Sequence, residues 1–150
     1  MLLNKLAAMP NPNDSIIALD VGDRRIGVAR ASLIARLPEP LKTIEHLPDT
    51  PQTLVELVRR ENAAAVVIGL PRGLKGQETP QTSLIREFVV SLKEHLSVPI
   101  YTQDEALTSH KAEEELAKRG VRYNKGDVDA LEAVYILEDF LLEHTDILAK

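Results

Sequence analysis

Residues 15–31 read SIIALDVGDRRIGVARA, and this stretch decides the fold. Ser15–Val21 is an apolar run rich in β-forming residues and ends at Gly22, which predicts a buried strand. A short polar turn follows, and a second apolar run resumes over residues 26–31. We therefore expect residues 15–31 to form a β-hairpin.

Beyond this hairpin, candidate helices alternate with candidate strands. Residues 63–70 (AAAVVIGL) are continuously apolar, as in a parallel strand that is buried on both faces. The expected elements are strands at 41–44, 63–70 and 98–103 and helices at 53–61, 81–96, 109–119 and 128–143. This order predicts an α/β fold with a mixed sheet. We expect an irregular lead-in over residues 1–14 and a single domain over residues 15–150.

The composition excludes several classes of protein. The chain has 150 residues, of which 44% are hydrophobic and 27% charged, as in an ordinary globular domain. It has no cysteine, which excludes disulfides, thiol catalysis and thiolate zinc sites. No run of about 18 apolar residues is present, so we expect a cytoplasmic protein. A net charge of −5 and only five aromatic residues count against non-specific binding of nucleic acid.

Three acidic residues stand where ligands gather in α/β proteins. Asp20 lies inside the first apolar run, and Glu105 follows the strand expected at 98–103. Asp129 is four residues before Ala133, so it extends the apolar stripe of the last helix towards the sheet. The three acids can converge on one site, and such clustering is favourable when the carboxylates bind a cation. Mg²⁺ and Mn²⁺ take carboxylate oxygens without help from Cys or His.

Each of these acids also has a simpler interpretation. Asp20 could cap the turn that follows it, and Glu105 could be an exposed loop acid. Asp129 could simply stabilise the positive end of the helix dipole. Asp127 is expected to be the N-cap residue of this helix. Sequence alone leaves these alternatives open.

Basic residues lie in the same loops as the acids and could contact phosphate groups. We select Arg24, Arg25, Arg72, Lys75 and Lys125 as substrate-binding candidates, with Lys118, Arg119 and Arg122 nearby. One or two bound cations would add positive charge to this surface. An acidic protein can therefore still bind nucleic acid at this one site.

Four motifs in order resemble the YqgF/RuvX family of Holliday-junction-resolvase-like and pre-16S rRNA nuclease proteins. The first is ALDVGDRRIGVA at residues 18–29, which matches the family pattern D-x-G-x-x-R-I-G-V-A from Asp20 onward. The others are VVIGLPRGLKGQET (66–79), DEALTSHKAEEEL (104–116) and KGDVDALEAVYILEDFL (125–141). Together they span about residues 15–142.

The resemblance implies an RNase H-like fold, in which helices flank a five-stranded mixed sheet. It also implies that Asp20, Glu105 and Asp129 bind Mg²⁺ or Mn²⁺ as catalytic acids. Two residues depart from the pattern: Ala106 replaces a usual Arg, and Glu132 replaces a small or polar residue. A further acid at position 132 would edge the site.

The function expected from this resemblance is metal-dependent endonucleolytic cleavage of structured nucleic acid. The implied role is 5′-end processing of pre-16S rRNA, with ribosomal particles as partners. Resolution of Holliday junctions is an alternative, which would require a two-fold dimer, whereas RNA processing needs one site. A second alternative is a non-catalytic assembly factor that binds pre-ribosomal RNA. An ATPase of the actin-like fold is disfavoured because it needs two such domains.

Overall fold

The computed structural model describes residues 13–105, 109–120 and 122–144. Within them, strands and helices follow one another as expected. The strands are β1 (Ser15–Val21), β2 (Arg25–Ser32), β3 (Glu39–Glu45), β4 (Ala63–Pro71) and β5 (Ile100–Glu105). The helices are α1 (Thr50–Arg60), α2 (Pro80–Lys93), α3 (Ser109–Lys118) and α4 (Lys125–Glu143). Most of the predicted lead-in lies outside the described residues, and the division at residues 14 and 15 stays a prediction.

The five strands form one mixed sheet in the order β3-β2-β1-β4-β5. The predicted hairpin is confirmed, because β1 pairs antiparallel with β2, and β2 with β3. Strands β1, β4 and β5 are parallel, so their carboxyl ends lie at the same edge. The mixed α/β sheet predicted from the sequence is therefore confirmed.

Each face of the sheet is covered by helices and has its own apolar cluster. Residues of α1 and α2 pack on one face, against alternate β1 residues that include Ile17 and Leu19. Residues of α3 and α4 pack on the other face, against Ile16 and Ala18. The two-residue period of a strand thus assigns each β1 side chain to one helical layer. No helix in the described ranges is both long and apolar enough to cross a membrane.

Several predicted boundaries are wrong by two or three residues, including the starts of α1 (Thr50 instead of 53) and α4 (Lys125 instead of 128). Strand β5 runs over Ile100–Glu105 instead of the predicted 98–103, so Asp104 and Glu105 belong to the strand and not to a following loop. Pairing of Pro71 with Glu105 extends the ladder, and the Arg72 backbone N–H donates to the Glu105 carbonyl. Helix α2 ends at Lys93 rather than at residue 96, and it begins after a capping box formed by Thr79.

Candidate metal centre

Asp20 faces helix α4 near the carboxyl end of β1. It follows Ile16 and Ala18 in the strand alternation, and both of these residues belong to the α3–α4 cluster. The hairpin turn is closed by backbone, since the Gly22 N–H donates to the Arg25 carbonyl at 2.9 Å. Asp20 is therefore the polar end of a buried stripe, and the turn does not need it as a cap.

Gly27 lets the backbone of α4 reach the sheet beside Asp20. Gly27 is the register partner of Asp20 on β2. A Cβ atom at Gly27 would overlap the carbonyl group of Asp129, so only glycine permits this approach. The resulting contact fixes Asp129 next to Asp20, although 109 positions separate them along the chain.

Three carboxyl groups converge at this contact. Asp20, Asp129 and Glu132 each offer one oxygen atom, and these three atoms lie within 4.8 Å of one another. Asp129 and Glu132 reach the same point because residues three apart lie on one face of a helix. All three residues are partly buried. This geometry suits a single cation bound by all three oxygens.

The cluster strongly favours a proton on Asp20 when no cation is bound. Burial raises the pKa of Asp20 from 3.8 to about 9, helped by a side-chain hydrogen bond with Glu132. The negative charges of Glu132, Asp129 and Glu105 raise this pKa further. Two carboxyl groups share a hydrogen bond only when one is protonated. A divalent cation would remove the repulsion that favours this proton.

Glu105 lies on the same face but outside the group of three. On β5 it continues the alternation of Tyr101 and Gln103, and Tyr101 packs against the α3–α4 cluster. It is close enough for its charge to raise the pKa of Asp20. The structure thus brings Asp20 and Asp129 together as the spacing indicated, with Glu132 as their nearest acidic companion. The interpretation of Glu105 as a loop acid is wrong, because it is a strand residue.

Arg25 holds Asp129 in place. Its Nε donates to Asp129 Oδ2 at 2.6 Å, and the Arg25 side chain is 38% exposed. This guanidinium, predicted to contact substrate, therefore also orients a carboxylate of the cluster. The remaining N–H groups of Arg25 can still donate to a phosphate.

Asp127 has a different role from the one predicted. Asn124 is the N-cap of α4, and its Oδ1 accepts from the Asp127 N–H at 2.9 Å. Asp127 Oδ2 accepts from the Asn124 N–H, also at 2.9 Å. Asp127 is thus the third residue of a capping box, and Asp129 is the fifth helical residue rather than the second. The spacing N-x-x-D in the sequence could have identified this box.

The predicted basic residues differ in their exposure and in their contacts. Arg24, Lys75 and Lys125 are exposed. Arg72 is bound within the protein, since its Nε contacts Asp104 Oδ1 at 3.2 Å and its Nη1 contacts Glu78 Oε2 at 3.6 Å. Ala106, the other departure from the family pattern, lies outside the described residues.

A groove of about 510 Å³ lies between strand β3 and the start of α4. Arg25 and Asn124 line it together with Lys42, which sequence reasoning missed. Lys42 pairs with Val28 in the β2–β3 ladder, and no local motif marks it. The groove therefore offers polar and cationic groups next to the acidic cluster.

The donor set fits a hard divalent cation. It consists only of carboxylate oxygens, which Mg²⁺ and Mn²⁺ prefer. Glu132 Oε1 is buried, and no hydrogen-bond donor in the described part of the chain satisfies it. A buried carboxylate oxygen without a donor is costly, and a bound cation would satisfy it.

Comparisons with known proteins find relatives over most of the chain. The family model described as "RuvX: Holliday junction resolvase" matches residues 14–143. A Chloroflexus aurantiacus protein named "Putative pre-16S rRNA nuclease" is 41% identical over 134 residues, which cover 86% of this chain and 88% of that protein. A Rickettsia typhi protein of the same name is 36% identical over 132 residues, which cover 85% of this chain and 84% of that protein.

Two solved structures share the fold. Thermus thermophilus RuvC in complex with a Holliday junction substrate has a TM-score of 0.51 at 15% identity, covering 86% of this chain and 94% of that one. The fowlpox virus Holliday junction resolvase has a TM-score of 0.51 at 10% identity, covering 89% and 99%. The fold is that of RuvC-like resolvases, which confirms the RNase H-like class.

Proposed function

This chain belongs to the RuvX family, and from that premise we propose that it is a metal-dependent endonuclease that processes the 5′ end of pre-16S rRNA. The family and the names of its relatives support a nuclease, a hydrolase of phosphodiester bonds. The finer parts of the proposal are the rRNA substrate and the requirement for Mg²⁺ or Mn²⁺. The cytoplasm follows as the expected location if the substrate is precursor rRNA.

The observation that carries the proposal is the convergence of Asp20, Asp129 and Glu132 within 4.8 Å. These acids lie where parallel strands end, the edge at which α/β proteins place their ligands. A cluster held together by a glycine contact and an arginine contact has a defined shape. Such preorganisation is what a catalytic metal site requires.

Asp20, Asp129 and Glu132 would hold the cation, and Glu105 stays in the proposed site as a nearby fourth acid. The bound cation supplies positive charge that stabilises the charge developing on the phosphate oxygens and promotes deprotonation of the attacking water. Arg25 keeps the Asp129 carboxylate oriented through its 2.6 Å hydrogen bond. The side chains of this chain thus fix the acids before substrate binds.

Phosphate groups of the substrate would be bound by cations around the cluster. Arg24, Lys75 and Lys125 are exposed, so an RNA backbone can reach their charged groups. Lys42 and Arg25 extend this surface along the groove beside α4. Arg72 would bind a phosphate only by exchanging its contacts with Asp104 and Glu78. We therefore expect Arg72 to contribute less to binding than the exposed cations.

The test is cleavage of a 5′-extended 16S precursor RNA in Mg²⁺ or Mn²⁺ by the wild type and by Asp20→Asn. We expect metal-dependent cuts by the wild type and a loss of at least about 100-fold in Asp20→Asn, because a neutral amide replaces an anionic carboxylate ligand. Asp139→Asn is the matched control, since Asp139 is an exposed acid on the same helix and does not line the groove. We expect this control to cleave like the wild type.

A four-way DNA junction provides the rival substrate in the same assay. Preference for the junction over the precursor RNA would overturn the rRNA role and favour a resolvase. Equal inactivity of the wild type and Asp20→Asn on both substrates, with retained RNA binding, would overturn the nuclease proposal. The protein would then be an assembly factor that binds RNA.

A further inference from the structure

We propose that Glu132 is a direct ligand of the divalent cation, together with Asp20 and Asp129, and that Glu105 is not. This inference rests on the proposed function, because it concerns the same site. It assigns the cation to three acids on β1 and α4 and leaves the acid on β5 at the rim.

The carboxyl group of Glu132 is aimed into the cluster from a rigid element. Glu132 lies about one helical turn after Asp129 in the 19-residue helix α4. Its two neighbours in the chain, Leu131 and Ala133, are buried. Its side chain is near enough to hydrogen-bond Asp20. The helix therefore holds Glu132 against Asp20 without any loop that would have to move.

Glu132 also has an oxygen that the protein leaves unsatisfied. Oε1 is buried, and no main-chain N–H, hydroxyl or basic side chain in the described ranges donates to it. Asp129, by contrast, already accepts a hydrogen bond from Arg25 at Oδ2. Asp129 thus has its other oxygen available for a cation, while Arg25 limits how far this carboxylate can turn. One ion bound by the three acids would satisfy Glu132 Oε1.

The strand register places Glu105 farther from Asp20 than the acids of α4. Leu19 pairs with Ile68, so Asp20 lies level with Gly69, which in turn pairs with Gln103. Glu105 lies two residues beyond Gln103 and two strands away from β1. These steps separate the backbones of Asp20 and Glu105 by about 12 Å. Glu105 therefore influences the site through its charge, while Glu132 contacts it.

The test measures Mn²⁺ binding to the full-length protein without nucleic acid. EDTA-treated wild type, Glu132→Ala and Glu132→Gln are titrated with MnCl₂ by calorimetry and repeated with MgCl₂. Folding of each variant is checked by circular dichroism, and Glu132→Gln preserves the side-chain volume. Asp139→Ala is the matched control, because Asp139 is an exposed acid on the same helix.

We expect both Glu132 variants to bind Mn²⁺ at least about 10-fold more weakly than the wild type, and Asp139→Ala to bind equally well. If Glu132 acted on the cation only through its charge, as Glu105 does, Glu132→Gln would weaken Mn²⁺ binding no more than Glu105→Gln does. That result would overturn the inference. The size of the loss relative to Glu105→Gln therefore separates a direct ligand from a neighbouring charge.

Glu105→Gln completes the comparison. We expect it to change Mn²⁺ affinity by less than either Glu132 variant, and the reverse order would overturn the assignment. Absence of Mn²⁺ binding by the wild type would overturn the metal requirement and this inference together. Normal binding by the wild type without RNA cleavage would instead count only against the proposed nuclease.

Discussion

The two faces of the sheet differ most at the edge where the parallel strands end. Towards this edge, the face under α1 and α2 presents Val21, Ile26, Ile68 and Leu70, all buried in one apolar cluster. The opposite face presents acids and glycines, namely Asp20, Gly27, Gly69 and Glu105. The same strands thus build close packing on one side and a polar site on the other. Stability and chemistry are separated by the two-residue period of the strands.

The glycines on the α4 face explain how the site forms. A Cβ at Gly27 would overlap the backbone of α4, and one at Gly69 would overlap the side chain of Ile136. These residues allow α4 to approach the sheet more closely than larger residues would. The acids of α4 and β1 are therefore forced together, at a cost in stability that the opposite face offsets.

The largest effect on stability is expected on the apolar face. Ile68 is fully buried, and Ile68→Ala should reduce the free energy of unfolding by about 2–5 kcal/mol, because it leaves a cavity. Mn²⁺ affinity measured below the unfolding temperature should not change. Denaturant unfolding and calorimetric titration check the two parts. A large fall in Mn²⁺ affinity would show that the two faces are not independent.

Asp20→Asn should stabilise the metal-free protein at alkaline pH. The pKa of Asp20 is about 9 in the folded protein against 3.8 ordinarily, so the folded state binds the extra proton. The wild type therefore loses stability as pH rises between these values. The amide introduced by Asp20→Asn does not titrate in this range, so the variant does not lose this stability. We expect the gain to grow by on the order of 4 kcal/mol between pH 5 and pH 8.

Urea unfolding in EDTA at several pH values measures this gain. A difference between Asp20→Asn and the wild type that stays constant with pH would contradict the account. Asp20→Asn also separates the effect of Asp20 on stability from its effect on activity, because this variant should be more stable than the wild type but inactive.

Gly27→Ala should damage both stability and the site. The added methyl group meets main-chain atoms of Asp129, which cannot rotate away as a side chain could. We expect a loss of about 1–3 kcal/mol and weaker Mn²⁺ binding by the folded fraction. Gly126→Ala is the control, because a Cβ there has its nearest neighbour at 3.1 Å, in the side chain of Asn124. Equal Mn²⁺ affinity in both variants would show that Gly27 does not position Asp129.

The smallest effect is expected at the N-terminus of α4. Asn124→Ala removes one half of the capping box and should cost about 1 kcal/mol. Thermal unfolding measures the loss, and Mn²⁺ affinity reports whether fraying of the first turn reaches Asp129. An unchanged unfolding temperature would mean that the cap contributes nothing.

Much of this architecture follows from local sequence. Strands β1 and β4 are continuous apolar runs, and their predicted positions agree closely with the structure. Asp20 could be selected in advance because it is a lone acid inside an apolar run, and Asp129 because it extends the apolar stripe of the last helix. The errors lie at the ends of elements. Asn124 is the N-cap of α4 instead of Asp127, and pairing with Pro71 extends β5 to Glu105.

Other features depend on contacts between distant parts of the chain. The Arg25–Asp129 pair joins residues 104 positions apart, and nothing near either residue marks it. Glu132 is three residues after Asp129, which is a signal for a shared helix face. That signal becomes specific only once Gly27 is seen to bring this face against Asp20. The sequence thus predicts which acids can meet, and packing decides which of them do.

The most direct test of the account is a crystal structure with Mn²⁺, located by its anomalous scattering. We expect one peak within bonding distance, about 2.1 Å, of oxygens from Asp20, Asp129 and Glu132. The hydrogen bond from Arg25 Nε to Asp129 Oδ2 should remain. A peak coordinated by Glu105 with Glu132 turned away, or no peak at millimolar Mn²⁺, would contradict the account.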